Sequence, residues 1–209
     1  MKTFDIITEA DARTLEIGAT VSLKPGGHVT PLAADTLKAR RITVLGSVAE
    51  ASLDGLAPVA DIRSVAIGSD HSGVALKAAL RDHLRRRGLS VLDVGTDGPD
   101  PVDYPDIAAQ VARLVARKEV DAAIVIDGAG LGSAMAANKI AGARAAMCND
   151  QTLARYARQH NGANVLALGA TLISADEATA IVETWLATPM GEARYIRRLA
   201  KIRALEKMS

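Results

Sequence analysis

The chain has 209 residues, 49% apolar and 23% charged, which is enough to bury a substantial core in a globular protein of one or two domains. Its 25 basic and 24 acidic residues give a formal net charge of +1, and only 2% of residues are aromatic, which argues against nucleic-acid partners. Because no run approaches the roughly 20 apolar residues of a membrane span and no apolar signal follows Met1, we expect a cytoplasmic protein without membrane partners.

Residues 1–60 are interpreted as a small appended module that ends in a linker, because their apolar pieces are short and broken by proline and glycine. Thr8 could cap a helix whose Asp11 completes a capping box. A strand is predicted before the break at Lys24-Pro25-Gly26-Gly27, and Pro31 suits the first turn of a second helix. The predicted elements are a helix at Thr8–Leu15, a strand at Thr20–Leu23, a helix from Pro31 onward and a linker at Ala49–Asp61.

Residues 61–209 form a second predicted domain in which strands and helices alternate. This alternation predicts a Rossmann-like three-layer α/β sandwich with a five-stranded parallel sheet. The strands are predicted at Val65–Gly68, Val91–Val94, Ala122–Ile126, Ala143–Met147 and Val165–Leu168. The helices are predicted around Leu76–Leu84 with Gly88 as the stop, and near Pro105–Arg117, Ser133–Ile140, Gln151–His160, Ala175–Ala187 and Ala193–Lys207.

Polar and glycine-rich segments follow the first and third predicted strands of this domain. They are Ser69-Asp70-His71-Ser72-Gly73 and Asp127-Gly128-Ala129-Gly130-Leu131-Gly132. If the sheet takes the order 2-1-3-4-5, these two loops meet at the topological switch point, where open α/β sheets bind ligands. The sequence therefore predicts a small-molecule site at that edge.

The candidate residues in these loops each have two interpretations. Gly128, Gly130 and Gly132 could let the backbone approach an anion, or could only form a tight turn; neither phosphate-binding fingerprint is matched. Asp127 could face a ligand or cap the next helix. His71 could donate to an anion or be a core histidine.

Three further groups of candidates have ordinary structural explanations from the residues alone. His160 and Asn161 close a helix, where both residue types have an ordinary structural explanation. Tyr104 could pack or contact a ligand. Arg194 and Arg198 lie four residues apart, so they could hold a phosphate ester from one helix face, or belong to a basic surface helix. The single cysteine, Cys148, is interpreted as a small buried hydrophobic residue.

Six motifs between about Ser64 and Glu206 together resemble the type B ribose-5-phosphate isomerases and the related galactose-6-phosphate isomerase subunits. They are Ser69-Asp70-His71-Ser72-Gly73, Asp103-Tyr104-Pro105, Gly128-Ala129-Gly130-Leu131-Gly132, Ala136-Ala137-Asn138-Lys139, Arg158-Gln159-His160-Asn161 and Asn164-Val165-Leu166-Ala167-Leu168-Gly169. The resemblance implies an aldose–ketose isomerase of a phosphorylated sugar that needs no metal and no organic cofactor. It favours the ribose 5-phosphate and ribulose 5-phosphate pair.

The resemblance also implies a role for each candidate. The loop Gly128–Gly132 would steady an enediolate and His160 would assist ring opening. Arg194 and Arg198 would hold the phosphate. The remaining substrate contacts would come from Asp70, His71, Tyr104, Asn138 and Asn161. Family members share the site between two subunits, which implies a homodimer or a dimer of dimers.

The chain departs from the family pattern at several positions. Many type B enzymes have a cysteine base where this chain has Asp127 and a hydroxyl residue where it has Ala129. Some relatives without that cysteine use a glutamate at the position of Ser133, so Asp127 is the nearest candidate base. The family often has an arginine at the position of Thr171.

These departures permit a second hypothesis, a sugar-phosphate-binding partner subunit of a heteromeric isomerase with little activity alone. A nucleotide-binding module is a third hypothesis, disfavoured by the incomplete fingerprints. Two N-terminal stretches, Ile7–Asp11 and Val29–Ala33, are similar to segments attached to some bacterial microcompartment enzymes. That similarity suggests recruitment to an assembly through the N-terminal module.

Overall fold

The structure, a computed structural model, describes residues 2–45, 56–190 and 193–206; the side chains of residues 25, 26, 193 and 194 lie outside the described part. The chain divides into two compact units, residues 1–54 and 55–209. The domain boundary expected after residue 60 stays a prediction. Residues 49–55 of the predicted linker lie outside the described ranges.

In its described residues the first unit has three strands and two helices: β1 Thr3–Ile7, α1 Glu9–Thr14, β2 Thr20–Val29, α2 Pro31–Ala39 and β3 Thr43–Leu45. The strands form a parallel sheet in the order β1-β2-β3. Thr8 caps α1 in a capping box with Asp11, as the sequence predicts. The predicted break at Lys24–Gly27 is wrong, because β2 continues through it while a register irregularity between Phe4 and Ile6 absorbs the mismatch with β1.

The second unit confirms the predicted three-layer α/β sandwich with a five-stranded parallel sheet. Its strands are β4 Ser64–Ser69, β5 Ser90–Gly95, β6 Ala122–Asp127, β7 Ala145–Met147 and β8 Val165–Gly169. Its helices are α3 Val74–Arg86, α4 Tyr104–Ala116, α5 Leu131–Ala137, α6 Gln151–Gln159, α7 Ala175–Ala187 and α8 Ala193–Leu205. No helix in the described ranges is long and apolar enough to cross a membrane.

The strand order is β5-β4-β6-β8-β7, which differs from the assumed order at its last two positions. The last strand, β8, lies next to β6, and β7 is the edge strand. All five residues of β8 are buried whereas the three residues of β7 are only half-buried, so the more apolar strand takes the inner position. The adjacency of β4 and β6, on which the predicted site depends, is confirmed.

Two apolar layers flank the sheet. Alternation along β6 directs Ala122, Ile124 and Ile126 toward one core and Ala123 and Val125 toward the other. The first core contains residues of α3, α6 and α7, and the second contains residues of α4 and α5. All six residues of β6 are buried, so its carboxyl end holds Asp127 in a fixed and largely dry position.

Asp121, just before β6, gives a testable pH dependence of stability. Its Oδ2 accepts the N–H of Arg63, the N–H of Ser64 and the Ser64 hydroxyl, each at 2.9 Å. Burial acts to raise the pKa of Asp121, but these hydrogen bonds outweigh it and lower the pKa below its ordinary value of 3.8. A depressed folded-state pKa stabilises the fold above the unfolded value, and that contribution is lost as the pH falls through the folded value.

We therefore expect Asp121→Asn, which keeps the acceptor oxygen but loses the charge, to lower the urea midpoint at pH 7. The difference from the parent should shrink as the pH is lowered from about 5 toward 2. A deficit that is equally large at pH 7 and pH 2 would show that the charge of Asp121 is not its source.

Candidate active site

Loops from neighbouring strands meet at the carboxyl edge of the second unit's sheet. Ser69 and Ile126 pair across β4 and β6. Directly beyond them, the N–H of Asp70 donates to the Ile126 oxygen at 3.1 Å, and the N–H of Ala170 donates to the Asp127 backbone oxygen at 2.8 Å. The segments after β4, β6 and β8 are thus joined by backbone hydrogen bonds, as expected for a ligand site in this kind of sheet.

Asp127 caps the glycine loop that it begins. Its Oδ1 accepts the N–H groups of Ala129, at 2.9 Å, and of Gly130, and its Oδ2 accepts the N–H of Ser133 at 2.9 Å. The side chain is buried, with 4% exposed. A carboxylate offers about four acceptor sites, so three donors leave one site on Oδ2. The cap interpretation is therefore confirmed, and an acceptor site remains.

Close contacts with β8 and the segment after it hold the glycine loop in place. Gly130 has φ +76°, and a Cβ there would lie 2.9 Å from the backbone carbon of Leu168 and 3.1 Å from the nitrogen of Gly169. The hydroxyl of Thr171, where the family often has arginine, donates to the Gly128 oxygen at 2.6 Å. In this chain Thr171 therefore anchors the loop.

Two side chains border the loop on its outer side. The ring of Tyr104, which is 39% exposed, lies so close to Gly132 that a Cβ there would be 2.4 Å from Cζ and 2.5 Å from the hydroxyl oxygen. A Cβ on Gly128 would lie 3.7 Å from the Ser72 hydroxyl. Tyr104 and the loop after β4 thus frame the glycines, which supports a shared small-molecule site.

Asp70 and His71 shape the loop after β4. Asp70 Oδ1 accepts the N–H of Ser72 at 2.9 Å, its hydroxyl at 2.6 Å and the N–H of Gly73 at 3.3 Å. Nδ1 of the exposed His71 accepts the N–H of Val102 at 3.4 Å. With Nδ1 as acceptor, the neutral ring carries its proton on Nε2, which is then a donor for an anionic group.

An added methyl group is expected to have different effects at Gly130 and at Gly132. At Gly132 the three atoms nearest to the methyl group all belong to the outer end of the Tyr104 side chain, so we expect Gly132→Ala to displace that ring with little loss of stability. At Gly130 the methyl meets backbone at positive φ, so Gly130→Ala should lower the unfolding free energy by about 1 kcal/mol or more.

Thermal melting and substrate KM measured for both variants provide the check. Gly132→Ala should raise KM with a nearly unchanged melting temperature. A large drop in its melting temperature would mean that Tyr104 is fixed structural packing.

A second group of candidate residues surrounds His160, which follows α6. Its ring stacks between Tyr156 and Tyr195, with ring centroids 4.7 Å away on each side and interplanar angles of 17° and 31°. The guanidinium of the exposed Arg198 lies 5.8 Å from the centroid of the Tyr195 ring. His160 and Arg198 therefore both lie beside Tyr195, whereas the side chain of Arg194 lies outside the described part.

Asn161 lines a cavity of about 690 Å³ beside this group. Asn138 lines the same cavity, but its amide donates to the Ala145 oxygen at 2.9 Å and its carbonyl accepts the Ala145 N–H at 2.8 Å. Both polar groups of Asn138 are thus engaged with the backbone of β7. Asn138 therefore links α5 to β7, and its predicted substrate contact stays a prediction.

The two groups of candidates lie at opposite edges of the sheet. Asp127 ends β6 at the carboxyl edge, whereas His160 shortly precedes β8 at the amino edge, because α6 runs back along the sheet. A six-residue strand rises roughly 17 Å from its first to its last residue. One chain therefore does not bring Asp127 and His160 together.

Several residues of the site region are not evident from sequence reasoning. Tyr156 and Tyr195 flank His160, but their spacing gives no local signal. Arg158 is buried on the apolar face of α6 beside Ala154 and Ala157, and a charge among alanines was a usable signal. Cys148 is fully buried, and burial together with the nearby charge of Asp150 raises its thiol pKa to about 12, which confirms its interpretation as a packing residue.

The parallel sheet, the carboxylate that ends its central strand and the glycine loop that follows are typical of Rossmann-like proteins that bind small molecules. The model of the ribose/galactose isomerase family matches residues 65–202. The chain belongs to this family.

Individual relatives agree with this assignment. Ribose-5-phosphate isomerase B of Escherichia coli K12 is 42% identical over 146 residues, which cover 70% of this chain and 98% of that protein. The structure of ribose-5-phosphate isomerase B from Clostridium thermocellum has a TM-score of 0.68 and 46% identity, and the match covers 69% of this chain and 98% of that one. The enzyme from Mycoplasma genitalium with bound ribulose-5-phosphate has a TM-score of 0.68 and 38% identity, covering 70% and 97%.

Proposed function

We propose that the chain interconverts the aldose and ketose forms of a phosphorylated sugar, with ribose 5-phosphate and ribulose 5-phosphate as the pair. Membership of the ribose/galactose isomerase family supports this function. The observation that carries it is Asp127, a buried carboxylate with one remaining acceptor site, placed in the loop after the central strand.

In the proposed reaction, Oδ2 of Asp127 removes the proton from the carbon beside the carbonyl. The electron pair of that C–H bond becomes a C–C double bond, and the carbonyl oxygen gains negative charge as an enediolate. The carboxyl group of Asp127 then delivers a proton to the neighbouring carbon, while the hydroxyl proton of the second carbon moves to the oxygen of the first, so no redox partner is consumed. The three N–H donors fix the orientation of the carboxylate, which lowers the cost of aligning it with the substrate.

The other candidates receive binding roles in this proposal. Tyr104 and Asp70 would contact sugar hydroxyls, and Nε2 of His71 would face the phosphate. His160 and Asn161 would assist ring opening and bind the sugar. Arg194 and Arg198 would hold the phosphate by charge-assisted hydrogen bonds.

We propose that a complete site forms between two subunits of a homodimer or a dimer of dimers. Its support is the separation of Asp127 and His160 at opposite edges of one sheet. Exposed apolar side chains near both groups are also consistent with a covered face: Leu131, Met135, Leu153 and Tyr156.

The purified chain assayed alone tests the function. Incubation of ribose 5-phosphate in D₂O should yield ribulose 5-phosphate and exchange the transferred proton for deuterium, observed by proton NMR. Calorimetric binding of ribose 5-phosphate without turnover would instead favour the partner-subunit hypothesis, which the departures at Asp127 and Ala129 permit. Neither binding nor turnover would contradict both.

We also propose that the first unit recruits the enzyme to a larger assembly. Its support is that residues 1–54 form a compact unit outside the family match. Residues 1–54 fused to a fluorescent protein should be directed to discrete bodies in the native host. Uniform fluorescence would contradict recruitment by this unit.

The phosphate role of α8 predicts a selective loss of affinity. Arg198→Ala should weaken binding of the phosphorylated sugar by about 1.5–3 kcal/mol, because one charge-assisted contact is removed. Binding of the unphosphorylated sugar should hardly change. The neighbouring exposed Arg197 on the same helix provides a matched control, and Arg197→Ala should leave both affinities unchanged. Equal losses for the two sugars in Arg198→Ala would make the helix structural.

A further inference from the structure

Residues 56–59, called the tether segment here, are held against the turn at residues 162–163. Arg144 joins the two. Its Nε donates to the Gly162 oxygen at 2.9 Å, and its Nη2 donates to the Leu56 oxygen at 3.0 Å. One planar guanidinium therefore fixes the distance between a carbonyl of the turn and a carbonyl of the tether segment.

Arg158 makes a second connection of the same kind between the turn and the tether segment. Its Nη1 donates to the Ala163 oxygen and its Nη2 to the Val59 oxygen, both at 2.9 Å. Its guanidinium also lies 4.9 Å from the centroid of the Trp185 ring. Burial, with the charge of Arg144 nearby, lowers the pKa of Arg158 to about 10. A buried charge is costly unless it is hydrogen-bonded, so the two carbonyl acceptors stabilise the guanidinium of Arg158.

Side-chain packing also holds the tether segment against the turn at residues 162–163. Leu56 is only 1% exposed, although it precedes the first strand of its unit. Gly162 has φ +54°, and a Cβ there would lie 3.2 Å from Cδ of Pro58 and 2.8 Å from Cδ1 of Leu199. The turn is therefore enclosed by the tether segment on one side and by α8 on another.

The position of the turn gives this contact functional importance. It directly follows His160 and Asn161, and Leu199 belongs to the helix that carries Arg198. The tether segment itself precedes the family match, which begins at residue 65. It is thus an addition that contacts a part of the proposed site.

We propose that residues 56–59 are a positioning element of the sugar-phosphate site, which holds the 162–163 turn and thereby orients His160 and Asn161. This inference rests on the proposed function. If the segment moves away, the buried guanidinium of Arg158 and the half-buried guanidinium of Arg144 each lose one acceptor. An unsatisfied buried donor is costly enough to rearrange its surroundings. The linker to the first unit is then a working part of the enzyme, beyond its role as a spacer.

The test uses the full-length chain with the segment replaced at constant length by Leu56→Gly, Ala57→Ser, Pro58→Gly and Val59→Ser. Leu56→Met is the conservative variant, and Leu92→Ser, at an exposed position of β5, is the control for surface polarity. Trp185 is the only tryptophan of the chain, so its emission reports on Arg158. Hydrogen exchange of the Gly162 and Ala163 amides reports on the turn.

For the fourfold variant we expect faster hydrogen exchange at both amides and altered Trp185 emission. Its kcat should fall about tenfold or more while KM changes by less than about threefold, because a small misplacement of a reacting group lowers the rate strongly. Leu56→Met and Leu92→Ser should resemble the parent. All rates are measured at a temperature where circular dichroism shows folded protein. A purely structural role would lower the melting temperature without changing kcat of the folded enzyme.

Two outcomes overturn the proposal. In the first, exchange accelerates while kcat stays within about twofold of the parent. In the second, exchange at the turn does not change, so the segment does not hold it. If the fourfold variant does not fold, Leu56→Ala is measured in the same way and judged by the same criteria. A parent chain without turnover contradicts the proposed function instead, and exchange and emission then still decide whether the segment holds the turn.

Discussion

Asp127→Asn is expected to reduce isomerisation by about a hundredfold or more, because an amide cannot accept the proton from carbon and general-base catalysis is typically worth that much. Sugar-phosphate binding should persist. The amide also presents N–H groups where Asp127 accepts three N–H donors, so we expect a stability loss of about 1–3 kcal/mol. Activity is therefore measured at a temperature where the variant is folded.

Two further variants separate proton transfer from loop support. Asp121→Asn is the matched control, because Asp121 also accepts backbone N–H groups but lies at the amino edge; its kcat should equal the parent's. Asp127→Cys places a thiolate among N–H donors that stabilise it, so it should retain more activity than Asp127→Asn. An Asp127→Asn enzyme within about threefold of the parent, roughly 0.65 kcal/mol in the barrier, would remove Asp127 as the base.

Much of the fold follows from local patterns in the sequence. Alternating apolar segments predict the parallel sheet, and the cap at Thr8 marks the start of α1 because its partners lie within three residues. The bounds predicted for α7, Ala175–Ala187, agree with the structure. Such features are readable because sequence neighbours determine them.

Features that depend on distant partners were not predictable in the same way. The exchange of β7 and β8 reflects competition for the inner position, which only the assembled sheet decides. The continuation of β2 through Pro25 and Gly26 depends on its partner β1, which pairs with β2 on both sides of this segment. The bridges from Arg144 and Arg158 to the tether segment span 88 and 99 residues along the chain.

In the candidate site, the role of Asp127 was only partly predictable from the sequence. The sequence left open whether this residue caps a helix or faces a ligand. The structure shows the cap, and a carboxylate has enough acceptor sites to do both. For His160 and Arg198, the residues alone favoured structural explanations, and only the family resemblance indicated function. Their stacking through Tyr195 now gives them a common location.

The location of that group predicts complementation between two inactive variants. Asp127→Asn and His160→Ala should each be inactive alone, and mixing them with subunit exchange should restore activity. In a two-fold dimer with shared sites, a hybrid has one site with both residues intact and one site with neither. If half of the dimers are hybrids, about a quarter of the parent activity should return.

The alternative is a site completed within one chain, and mixing then restores nothing because every site keeps one defective residue. The structure favours restoration, since Asp127 and His160 lie at opposite edges of the same sheet. Exchange is verified by mass spectrometry of differently labelled subunits, and both variants are shown to be folded beforehand. Asp121→Asn mixed with His160→Ala is the informative control: Asp121→Asn is expected to be active, so this mixture should show at least the activity of its Asp121→Asn share. If the mixture of Asp127→Asn and His160→Ala recovers no activity although subunit exchange is proven, a shared site is excluded.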